Sequence, residues 1–241
     1  MSTTHRTADA QGSTAPPWLM IPWPGAAIAL GAVAAMVTTS IVAWPEMSAE
    51  IVTRAADGRH GESVSSRGMT AVALPLALLV LTALLSVVPR LDHELLHRTP
   101  LGQDRDPERA RRVLSWTLSG LSVVLLVLHV GLVSQHTGDA FPLEQAVAGA
   151  VGAFLVCLGV ALPLAAPGGR FDGRVERFRA ALGPAYRVAG IVLVVGGVAT
   201  VMAAVVSSQA AMATAVTAVV VTFLVLLGLA LGRRWSRDGK S

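Results

Sequence analysis

The chain has 241 residues, of which 53% are apolar and only 14% charged, with a mean hydropathy of +0.62 and a formal net charge of +4. Soluble domains hold about 45 to 50% apolar residues even with glycine counted, so this composition excludes a disordered or water-soluble chain. One cysteine, Cys157, excludes an intrachain disulfide.

Residues 1–20 are rich in Ser, Thr, Ala, Gly and Pro, with little to bury, and are expected to be a disordered tail. Six nearly uncharged stretches follow, at about 22–44, 69–89, 113–134, 143–166, 187–206 and 211–232. At 1.5 Å per residue each is long enough to cross a hydrocarbon core of about 30 Å. Each is expected to be a helix, because a lipid-exposed strand leaves its backbone groups unpaired. The fold class is therefore all-α: a polytopic membrane protein with six transmembrane helices in a bundle over 21–234. A basic tail, 235–241, closes the chain. The first stretch is too long, and lacks the cleavage pattern, for a signal peptide, and is expected to be a retained anchor.

Basic residues set the orientation. With the N-terminus inside, the inner segments hold 16 of the 19 Arg and Lys residues, and the outer side holds only Arg54, Arg59 and Arg67. Such asymmetry predicts both termini inside. All five tryptophans (Trp18, Trp23, Trp44, Trp116 and Trp235) and Tyr186 fall near span ends, where amphipathic rings favour the headgroup layer. The basic residues flank apolar runs, so anionic headgroups of the inner face are the expected partner and nucleic acid is not. The cell membrane is the expected location, and the sequence does not set the oligomeric state.

The outer segment 45–68 is long and polar, and is the candidate for meeting anything outside; the links near 135–142 and 207–210 are too short to form a domain. Inner segments carry two E-R-x-R-x-x-L runs, Glu108 to Leu114 and Glu176 to Leu182, readable as juxtamembrane helices on lipid. Small residues at close-packing spacing are expected to seat helices on one another: Ala27, Gly31 and Ala35, then Gly149 and Ala153, then Gly190, Gly196 and Gly197. Pro75 and Pro163 are candidate kinks.

Little chemistry stands inside the spans. His129 is the one imidazole at lipid depth, readable either as a functional group or as a neutral side chain bonded to a neighbouring helix. His93-Glu94-Leu95-Leu96-His97 is a literal H-E-x-x-H, which on a helix places two imidazoles on one face for zinc with the glutamate as base. A third ligand and a walled cleft are missing there, and Pro100 stops the helix soon after. A non-enzymatic protein without cofactor is the expectation, with a membrane zinc metallopeptidase using His93, Glu94 and His97 as the alternative.

Several short segments resemble the SdpI-like family of six-span bacterial membrane proteins with its associated N-terminal domain. Pro45, Ile51, Thr53 and Asp57-Gly58 resemble that domain's outer-loop motif, although Val52 and Arg54 replace its Pro and His. Pro89-Arg90-Leu91-Asp92 resembles its closing P-x-x-D, and Leu128-His129 a recurrent L-H. Leu158 to Pro163, Arg170-Phe171-Asp172-Gly173-Arg174 and Tyr186 to Gly190 are similar to the family's L-G-N-x-L-P, F-x-G-x-R and H-R-x-A-G series. Val160 stands where the family has Asn, and its T-P-W-T segment is absent. The resemblance implies immunity to, or sensing of, a secreted membrane-active peptide, with Arg54, Asp57 and Gly58 meeting the peptide and Arg170, Gly173, Arg174 and Arg187 responding inside. A non-catalytic transporter accessory subunit is a further alternative.

Overall fold

The computed structural model describes residues 21–54, 63–96, 107–166 and 174–238, with side chains placed over 21–52, 64–87, 108–166 and 183–228. Six helices dominate it: α1 (Trp23–Ala43), α2 (Arg67–Leu96), α3 (Pro107–Thr137), α4 (Leu143–Ala161), α5 (Arg174–Val206) and α6 (Ser208–Asp238). All six are long and apolar enough to cross a membrane. Between α1 and α2 lie two short strands, β1 (Glu50–Arg54) and β2 (Ser63–Ser66), paired antiparallel.

The helices pack as two groups of three. Helix α3 lies against α1 and α2, α5 lies against α4 and α6, and the α3–α4 contact joins the groups. Ala29, Ala32, Met36, Leu78 and Leu118 form the core of the first group, and Leu155, Leu193, Ala215 and Ala218 that of the second. Large apolar side chains such as Ile191, Met202 and Phe223 face outward. Water would not tolerate so extensive an apolar exterior, whereas lipid is its natural solvent.

Several helices outrun the apolar stretches. Helix α3 starts six residues before Val113, with Pro107 at its first position, where a missing N–H costs nothing. A Glu108–Arg112 ion pair, one turn apart, supports that extension. The run from Glu108 to Leu114 is thus the first turns of α3 rather than a separate surface helix, and Glu176 to Leu182 likewise belongs to α5. At the end of α4, Pro163 falls in a 3-10 turn, Leu162–Ala165, because its ring cannot continue the α-helical ladder. Pro75 is buried within α2.

The close-packing positions only partly follow expectation. Ala27, Gly31 and Ala35 face outward, and a Cβ on Gly31 would meet nothing within 4 Å. The buried stripe of α1 is Gly25, Ala26, Ala29, Ala32, Met36 and Ser40. On α4, Gly149 makes only ordinary contact, and Gly152 and Gly159 carry the approach instead. A Cβ on Gly159 would stand 2.7 Å from the Gly190 carbonyl oxygen, and one on Gly190 would stand 2.6 Å from that of Gly159. Gly152 and Gly197 repeat this relation at 2.8 and 2.6 Å. Two reciprocal glycine pairs, each seven residues apart along its helix, let the α4 and α5 backbones touch.

Candidate functional site

A row of polar residues on one face of α3 runs inside the first three-helix group. Ser115, Ser122, His129 and His136 recur every seven residues, a spacing that returns to nearly the same face after two turns. Ser122, His129 and His136 are buried, and α1 runs beside this face, with Gly25 against Ser115.

His129 is fully enclosed. Its Nε2 lies 2.9 Å from the Met36 carbonyl oxygen and 2.9 Å from Ser40 Oγ, both on α1. A carbonyl oxygen only accepts, so Nε2 must carry the proton and share it between the two. Nδ1 then holds a lone pair that meets no donor and no space for bulk water. Leaving such an acceptor unmet costs about 1 to 3 kcal/mol. This is the histidine bonded to a neighbouring helix that one sequence reading expects.

His136 sits two turns further on, about 10 Å along the axis, at the hairpin end of the bundle. Its Nδ1–H donates to the Ser48 carbonyl oxygen at 2.9 Å. In the neutral ring Nε2 therefore accepts, and the Thr70 hydroxyl donates to it at 2.9 Å. Ser65 Oγ lies 3.1 Å from Thr70 Oγ1, and its hydroxyl completes the relay. The backbone carbonyl of His136 in turn accepts from the Ser48 amide at 2.9 Å and the Ser48 hydroxyl at 2.8 Å.

One residue therefore ties four segments together: α3, the chain before β1, strand β2 and the first turn of α2. The Arg67 amide donates to the Ala49 carbonyl, and the Arg67 guanidinium lies 4.7 Å over the Trp44 ring, so both ends of the hairpin are anchored beside the helices that carry it. After α3, Gly138 adopts φ +77°, a left-handed conformation suited to glycine, and turns the chain toward α4.

The sequence-derived candidates that fall within the described residues lie on separate elements. Arg54 ends β1, Asp57 and Gly58 lie outside the described residues, and so do Arg170 and Gly173. Arg174 is the first residue of α5 and Arg187 is exposed on that helix, so the segment from 174 is helical and continuous with the span. His93 and Glu94 lie on the last turns of α2, and His97 lies outside the described residues. Among the described residues no three His, Cys, Asp or Glu side chains gather as a metal site.

Sequence reasoning missed His136, placed in a short outer link, and its partners Ser48, Ser65 and Thr70. The seven-residue repeat that joins it to His129 was the available signal. Six long apolar helices with an outward apolar surface define the class: a multi-pass, all-α integral membrane protein. No family model, no curated protein and no solved structure matches the chain.

Proposed function

We propose that this is a non-enzymatic protein of the cell membrane, both termini cytoplasmic, that counters or senses a secreted membrane-active peptide in the manner of the SdpI-like family it resembles. The outer hairpin with Arg54, Asp57 and Gly58 meets the peptide, and the inner segment with Arg170, Gly173, Arg174 and Arg187 lies on anionic headgroups and responds.

The observation that best supports this reading is the attachment of the hairpin to α3 through His136. A connection that served only to join α1 to α2 has no need of a buried histidine and a buried threonine bonded to it. An extramembrane element held by hydrogen bonds to two helices, α2 and α3, is suited to receiving a partner and passing strain into the bundle. Two arrangements of that bundle are what a signal across the bilayer requires.

Expression in a sensitive host, with survival measured against a panel of membrane-active peptides, tests the proposal. Wild type is expected to protect against at least one peptide, and Asp57→Ala and His136→Ala to protect less at equal membrane abundance. No protection from any peptide, or equal protection by both variants, defeats it.

A further inference from the structure

Strand alternation divides the hairpin into two faces. Ile51 and Ser65 form one pair, half-buried, and the Ser65 hydroxyl reaches Thr70 on the bundle. The neighbouring pairs, Glu50 with Ser66 and Val52 with Val64, therefore turn away from it, and all four residues are exposed. Val52 is 55% exposed and Val64 50%, as two β-branched side chains facing each other with no apolar cover. The sheet has only these two strands, so among the described residues the second edge of β1 has no ladder partner.

The charge balance at the hairpin end of the bundle is negative. Among the described residues Glu46, Glu50, Asp139 and Glu144 outnumber Arg54 and Arg67, a net charge of −2. Glu46, Glu50, Asp139 and Glu144 are exposed, while Arg67 is taken up by Trp44.

We propose that β1 is a docking edge for a cationic, extended peptide segment, which adds as a third strand and places an apolar side chain beside Val52 and a Lys or Arg two positions away beside Glu50. Strand addition supplies affinity through main-chain hydrogen bonds, and the side chains on one face supply selectivity. Glu50 and Val52 lie about 6.8 Å apart along the strand, so the partner must carry its apolar and cationic residues on the same face. Negative potential over the docking edge raises the encounter rate of such a segment and repels acidic ones. The inference rests on the hairpin being the partner-facing element.

The test uses the full chain in phosphatidylcholine nanodiscs, which give a cationic peptide little to bind, and fluorescently labelled peptides read by anisotropy. The probe repeats Val-Thr-Lys-Thr, which sets Val and Lys on one face. Two controls repeat Val-Thr-Glu-Thr, which reverses the charge, and Val-Lys-Thr-Thr, which sets Val and Lys on opposite faces. The first peptide is expected to bind about tenfold more tightly than either control at low salt, with the charge-dependent gap closing as salt rises. Glu50→Lys, an exposed change that leaves the core intact, is expected to remove that preference.

Equal binding of the three peptides, binding equal to that of empty discs, or an unchanged preference in Glu50→Lys overturns the inference. So does the finding of two copies per disc that Val52→Lys separates, because a second copy then covers the strand. A host protected from a peptide while all three probes bind alike leaves the protective reading and removes this one; selective binding without protection does the reverse.

Discussion

Replacing His136 with alanine should release the hairpin and leave the bundle standing. The substitution removes two side-chain hydrogen bonds, to the Ser48 carbonyl and from the Thr70 hydroxyl. It leaves the bonds that Ser48 makes to the backbone carbonyl of residue 136. At about 1 kcal/mol for each lost bond the hairpin loses about 2 kcal/mol of local stability, which is about a thirtyfold rise in its opened population at 1.4 kcal/mol per decade. Hydrogen exchange of the full protein in lipid nanodiscs, followed by mass spectrometry over residues 48–70, measures this directly. Amides of β1 and β2 should exchange about thirtyfold faster while those in the middle of α1 and α3, about 10 Å or more deeper, keep their rates. Gln at position 136 has one donor and one acceptor in reach and should recover part of the protection. Unchanged exchange in the hairpin refutes the latch, and faster exchange spread evenly through α1 and α3 shows that His136 holds the helices and not the hairpin.

Gly159→Val should destabilise the bundle by about 1 to 3 kcal/mol, since the new Cβ meets the Gly190 carbonyl at 2.7 Å and backbone cannot yield cheaply. Gly31→Val, with nothing within 4 Å, should leave thermal unfolding within error of wild type. Nitrogen NMR of labelled histidines should show opposite neutral tautomers, with the proton on Nε2 of His129 and on Nδ1 of His136; a shared tautomer contradicts the hydrogen-bond assignment. In a Cys157→Ala background, a cysteine at Gly58 should react with a membrane-impermeant reagent in intact cells and one at Gly102 should not, and the reverse pattern inverts the topology. Purified protein should carry no stoichiometric zinc, and zinc that disappears in His93→Ala would establish the metallopeptidase alternative.

Helix number was legible in the sequence because lipid imposes a one-dimensional rule: a segment must be apolar for about 20 residues to cross. The spans around 143–166 and 187–206 lie close to the helical windows that the structure offers a membrane. Helix length beyond the lipid was not legible, because hydropathy is blind to helices in water, and α5 begins at Arg174 by continuing into polar residues. The polar segment 45–68 likewise gave no strand signal strong enough to read.

What the sequence by itself determined is which residues could leave water; it said little about which of them would meet. Gly31 and Gly159 stand in equally apolar stretches, yet only Gly159 takes a neighbour at backbone distance, because rotation of each helix about its axis is set by packing. His129 could be read as a buried histidine from its span alone. That Ser40 and Met36 hold one of its nitrogens, and that His136 clasps Ser48 and Thr70, depended on α1, α2 and α3 lying side by side across separations of 66 to 93 residues. Hydrogen bonds act over about 3 Å, so only the tertiary structure could decide them.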